Sequence, residues 1–192
     1  MRRIPVALVV FRAIAGPLLL AGAAARMPGY VLASILVLAF LSDVFDGIIA
    51  RRLGVATEKL RSVDSIVDTF FYIAAVIALW LFAPNVIIAN TTGILIIVVL
   101  EAARQLLERM KYGRMAAYHF WSAKAWGVML AFGFTEAFLT GEPGPLFRIA
   151  IIVGIVADVE GFVASLILSK WHHDIPHIWR ALEIQKSELA QE

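Results

Sequence analysis

Residues 30–50 read YVLASILVLAFLSDVFDGIIA, an apolar run that ends in two aspartates, Asp43 and Asp46. A helix needs about 20 apolar residues to cross the hydrocarbon core of a bilayer, and this run has that length. An acid inside such a helix costs about 2.5–3.5 kcal/mol near its centre on insertion scales, so two of them call for an explanation. Lipid as solvent, with something polar built at one end of a span, is the first reading.

The rest of the chain agrees. It has 192 residues and is 61% hydrophobic, above the share in ordinary soluble domains. Further long apolar segments lie at 4–25, 63–83, 86–107, 116–139 and 146–169. The breaks carry turn chemistry: Met27-Pro28-Gly29, Ala83-Pro84-Asn85 and Gly141-Glu142-Pro143-Gly144-Pro145. The expected fold is therefore all-α and polytopic, with six transmembrane helices. The first segment is too long and too weakly marked for a cleaved signal peptide and is expected to be retained. Residues 1–170 form the expected membrane domain and 171–192 a cytoplasmic tail. Asp174 is placed to cap a short interfacial helix there, with Pro176 in its first turn.

Charge placement gives an orientation. Lys and Arg gather at the start (Arg2, Arg3, Arg12), after segment two (Arg51, Arg52, Lys59, Arg61), after segment four (Arg104, Arg109, Lys111, Arg114) and in the tail (Lys170, Arg180, Lys186). The other side has Arg26 and Arg148. The positive-inside rule then puts both termini on the cytoplasmic side. The net charge of +2 implies no bulk affinity for nucleic acid, and the absence of cysteine excludes disulfides and thiolate metal sites.

Segment three opens with a second acidic pair, Asp64 and Asp68. Asp43 and Asp46 are three apart and Asp64 and Asp68 four apart, so each pair shares a helix face. A short basic loop joins the two segments, which are expected to be antiparallel neighbours with the pairs facing each other near the cytoplasmic surface. Four facing carboxylates repel unless a cation lies between them. Hard oxygen ligands suit Mg²⁺ or Mn²⁺, and two such ions balance four charges and clamp a diphosphate. The ordinary alternative is salt bridges to neighbouring arginines. Gly47 and Ala50 leave room beside the acids, and Arg51, Arg52 and Lys59 suit phosphate.

At these residues the chain resembles the CDP-alcohol phosphatidyltransferase family (class I), whose motif runs D-x2-D-G-x2-A-R-x8-G-x3-D-x3-D. Asp43, Asp46, Gly47, Ala50, Arg51, Asp64 and Asp68 match in identity and spacing, seven of eight fixed positions over 26 residues. Leu60 stands where the family has glycine, close to the bound nucleotide. We read this as a variation in substrate choice or affinity. Pro5, Arg12 and Pro17 are loosely similar to the family's opening segment.

The resemblance implies metal ligation by Asp43, Asp46 and Asp64, with Asp68 near a second ion and acting as the base that takes the acceptor's proton. It implies that Gly47, Ala50, Arg51 and Thr57 border the cytidine nucleotide. The implied activity is transfer of a phosphatidyl group from a CDP-linked lipid, expected to be CDP-diacylglycerol, to an alcohol, releasing CMP in phospholipid synthesis. A homodimer and a prokaryotic inner or plasma membrane are also implied. The alternative is an inactive relative, or a membrane protein that binds or transports divalent cations. Membrane prenyltransferases also use paired aspartates, but theirs lie far apart in longer chains.

Arg104 and Lys124 lie within apolar sequence and suit either an anionic acceptor or positive-inside decoration with contacts to anionic lipid; Glu101 is placed to pair with Arg104. Arg109, Lys111 and Arg114 read as positive-inside decoration. Asp158 and Glu160 point to different faces, so at most one easily joins a site. His119, His172, His173 and His177 lack ligand spacing with acids. Tyr30, Tyr118, Trp121 and Trp171 fit an interfacial aromatic belt.

Overall fold

A computed structural model describes residues 4–53, 58–114, 118, 120–172 and 175–189; at 50, 51, 58–62, 65 and 189 it describes the backbone alone. Among these residues the chain is helical throughout its regular structure: α1 (Ile4–Ala24), α2 (Gly29–Arg52), α3 (Glu58–Phe82), α4 (Pro84–Ala89), α5 (Thr91–Tyr112), α6 (Trp121–Thr140), α7 (Pro145–Ile167) and α8 (Ile178–Leu189).

The boundaries follow local chemistry. Pro84 and Pro145 open α4 and α7, where a missing N–H costs nothing and the fixed φ suits a first turn. Gly113 ends α5 in the left-handed region at φ 69°, its N–H donating to the Arg109 carbonyl at 3.0 Å. Gly141 does the same for α6 at φ 70°, donating to Ala137. The segment expected over 86–107 is two helices. The chain breaks at Asn90, between α4 and α5.

Three of the described helices are long and apolar enough to cross a membrane: Ile4–Ala24, Gly29–Ile49 and Pro145–Ile167; Ile66–Phe82 is a shorter apolar helix. The reason is visible in α5, where Glu101, Arg104, Glu108, Arg109 and Lys111 crowd the second half. In α3 the charged residues fill the first turns. Large apolar side chains stand on the outside, among them Phe70 at 70% exposed, Val99, Ile14 and Ile152. Surface of that kind belongs in lipid, and the chain is a membrane protein.

The chain divides into two compact units. One holds Met1–Ala89 with Gly133–Gly144, the other Asn90–Phe132 with Pro145–Glu192. In the first, α1 packs against both α2 and α3. Its buried stripe is Val9, Arg12, Ala15, Gly16, Leu19, Gly22 and Ala23. Small residues of this kind let helices approach closely where lipid supplies no hydrophobic drive. A Cβ on Gly22 would lie 2.9 Å from Leu32 of α2. At Gly29 it would run into the backbone carbonyl of Phe138 in the end of α6.

In the second unit α5 packs on α7, and α8 on α7. The tail helix is thus docked by one face. Ala181 and Ile175 are buried with Phe120, Ala164 and Leu168, with Ile178 and Ile184 against them. The α8 N-terminus is served by Glu160, which accepts the Ile178 N–H at 2.9 Å. His177 accepts the Arg180 N–H at 3.2 Å. The expected cap, Asp174, lies outside the described residues.

Candidate metal centre

The first unit gathers its charges at one point. Asp43 and Asp46 project from α2 and Asp64 and Asp68 from α3; all four carboxylates surround the guanidinium of Arg12 from α1. Nη1 lies 2.5 Å from Asp43 Oδ1, Nε 2.7 Å from Asp68 Oδ1, and Nη2 3.0 Å from Asp46 Oδ2 while also donating to Asp64. Arg12 is 2% exposed. Asp46 is buried, whereas the Asp43, Asp64 and Asp68 side chains are partly open.

Helix geometry accounts for the convergence. Arg12 and Gly22 of α1 meet Asp46 and Leu32 of α2, so these helices run antiparallel. Arg12 and Gly16 meet Asp68 and Ala74 of α3, so α1 and α3 run parallel. α2 and α3 therefore run in opposite senses along α1 and bring their acidic ends to the level of Arg12. The two expected pairs do meet, with a residue between them that spacing did not nominate. The signal was present as a lone arginine inside an apolar span.

One oxygen from each of Asp43, Asp64 and Asp68 lies within 4.8 Å of the others, a spacing that can hold a metal ion. Asp46 is outside this triplet and reaches the group through Arg12. An all-carboxylate donor set fits a hard divalent cation, and the guanidinium marks where positive charge is favoured.

Gly47 follows Asp46 on α2, with Ala50 and Arg51 in the last turns of that helix; the latter two side chains lie outside the description, as does Thr57 entirely. Position 60 is helical backbone in α3, and the Leu60 side chain lies outside the description.

Residues 2–159, which carry Arg12 and all four aspartates, match the family described as CDP-alcohol phosphatidyltransferase. The chain belongs to that family. Neither a curated protein nor a solved structure matches it. Membership in the CDP-alcohol phosphatidyltransferases makes this a relative of membrane transferases of lipid synthesis, and it gives the acidic centre its context: these enzymes use divalent metal and CDP-linked substrates.

Several of the other charges weighed in the sequence have local partners. Arg104 is bound by Glu101, at 2.6 Å, and by fully buried Glu108, at 3.0 Å. Glu108 also accepts from Ser165 at 2.8 Å. Sequence reading paired Arg104 with Glu101 and passed over Glu108, although four residues separate it from Arg104. Lys111 donates to the Ser165 and Leu166 carbonyls near the end of α7. Arg114 stacks on Trp171, and Lys124 lies over Trp121. Asp158 is buried in the second unit, and Glu160 binds Ser122 as well as α8. His172 pairs with Glu188 at 3.2 Å; His119 and His173 lie outside the described residues.

Proposed function

We propose that the chain transfers the phosphatidyl group of CDP-diacylglycerol to an alcohol acceptor and releases CMP, at a divalent-metal centre built on Asp43, Asp46, Asp64 and Asp68. The observation that carries this reading is the meeting of four carboxylates from two helices on a single positive charge. Such a grouping is unstable without a cation and suited to one with oxygen ligands.

Asp43, Asp46, Asp64 and Asp68 would hold two Mg²⁺ or Mn²⁺ ions, whose charge would neutralise the donor's diphosphate. Asp68, half open on α3, accepts the proton of the acceptor hydroxyl. The acceptor oxygen forms a bond to the phosphorus that carries the lipid alcohol. The bond from that phosphorus to the bridging oxygen breaks, and CMP leaves with the electron pair. Gly47, Ala50, Arg51 and Thr57 border the nucleotide.

An apolar groove supports a lipid donor. It has a volume of about 320 Å³ between α1 and α3, begins at Arg12 and Val67 beside the acids, and continues past Gly16 and Phe70 to Leu20 and Ile77. That is the lower end of ligand-pocket sizes, room for part of an acyl chain. The same reading takes the chain to cross the membrane six times as a homodimer, with the acids and both termini at the cytoplasmic face of a prokaryotic inner membrane.

The test is CMP release from purified protein given Mn²⁺, CDP-diacylglycerol and a panel of acceptors: glycerol 3-phosphate, inositol phosphate, serine and neutral alcohols. Asp68→Asn should abolish turnover while Mn²⁺ binding largely survives, and full activity in that variant removes Asp68 as the base. Leu60 favours a second reading, a cation-binding relative without transferase activity. Mn²⁺ binding with no CMP from any acceptor would select it.

A further inference from the structure

We propose that Arg12 is the built-in counterion of the aspartate centre: it holds the four carboxylates together while no divalent ion is bound and gives them up when one enters. The inference rests on the metal-binding reading above. It concerns what this chain does in the absence of metal, which that reading leaves open.

The contacts make the exchange plausible in physical terms. Nη2 makes aligned hydrogen bonds to Asp46 and Asp64. Nε and Nη1 are close to Asp68 and Asp43 but not aligned with them as hydrogen bonds. A guanidinium is a flat fork suited to one or two carboxylates. Spread over four from two helices, it satisfies two directionally and two by charge alone. A small spherical ion has no such restriction and carries twice the charge. The carboxylates that can hold an ion, Asp43, Asp64 and Asp68, are all in contact with Arg12. Ion and arginine therefore compete.

Without either, four carboxylates face one another at a membrane boundary, an arrangement that costs far more than a broken surface pair. Arg12 is the cation that α1 delivers to prevent it.

The test compares full-length wild type, Arg12→Gln and Arg12→Lys in detergent. Thermal unfolding is followed in EDTA, and Mn²⁺ binding by electron paramagnetic resonance of the free ion. Arg12→Gln should melt several degrees lower in EDTA, bind Mn²⁺ at least about tenfold more tightly, and gain more from saturating Mn²⁺ than wild type. Arg12→Lys, with the charge but not the fork, should fall between them. Unchanged melting in EDTA together with equal or weaker Mn²⁺ binding in Arg12→Gln overturns the proposal. Should that variant fail to fold, Arg12→Lys and a wild-type structure with Mn²⁺ decide. Arg12 still within 4 Å of all four carboxylates beside a bound ion overturns it. Mn²⁺ binding by the wild type tests the metal reading separately. No binding by any of the three proteins removes both, whereas binding by Arg12→Gln alone supports the exchange.

Discussion

At the residue scale, burial separates acids that spacing treats alike. Asp46 is 3% exposed and hydrogen-bonded to Arg12, while the Asp43 side chain is 37% exposed. Arg12 keeps three carboxylates without it, so Asp46→Ala should cost about 1–3 kcal/mol in EDTA, the usual result of losing one buried hydrogen bond to a charged group. Asp43→Ala should cost clearly less, and paired thermal melts would show the order. Glu108→Ala takes one partner from Arg104, which keeps Glu101, and one from Ser165, and should destabilise by about 1–3 kcal/mol, with no part of it recovered by Mn²⁺. Equal melts for Glu108→Ala and wild type would contradict the network. The four aspartates were legible because helical spacing alone sets which face they share. Arg12 was not, because counting charges by side of the membrane ignores depth. Its partners also lie 31 or more residues away in sequence. Glu108 was hidden among the charges of α5, where several pairings have helical spacing.

At the element scale, helix contacts turn on glycines whose surroundings differ. Gly29 starts α2 against the Phe138 carbonyl, which has no room to retreat, so Gly29→Ala should destabilise by about 1–3 kcal/mol. Gly127 in α6 has nothing within 4 Å of a built Cβ, and Gly127→Ala should be neutral or stabilising by up to about 1 kcal/mol. Thermal unfolding of both variants checks the pair, and a reversed order would show that the α2–α6 contact is misjudged. Helix ends were well marked in sequence by Pro84, Pro145 and Gly141. The break at Asn90 was marked too, by the polar stretch Asn90-Thr91-Thr92-Gly93, but the sequence reading carried a single span across it because apolar residues flank it on both sides. Docking of α8 on α7 was out of reach, because its cap comes from Glu160, 18 residues upstream of Ile178.

At the scale of the whole molecule, composition decided the solvent and the motif decided the kinship. The match over residues 2–159 runs through both compact units. The exposed apolar surface predicts that the chain stays with the membrane pellet in alkaline carbonate; release into the supernatant would overturn it as an integral protein. Apolar run length suggested six crossings, but the described helices are not alike. Three are long and apolar enough unaided, whereas α5 carries buried ion pairs and α3 has charged first turns. This inequality reflects what a hydropathy window averages away: a charge satisfied inside a helix pair and one facing lipid look identical in a linear chain.

The placement of Arg12 also bears on biogenesis. During synthesis α1 emerges before α2 and α3, carrying a guanidinium in its apolar stretch while the acids that will neutralise it are still unmade. A nascent chain ending after α1 should integrate poorly. One that includes Asp43 and Asp46 can enter as a hairpin, the turn at Ala25–Pro28 delivering both charges to the translocon together. Glycosylation mapping of chains truncated before and after α2 would reveal that cooperation, and equal integration of the two would rule it out.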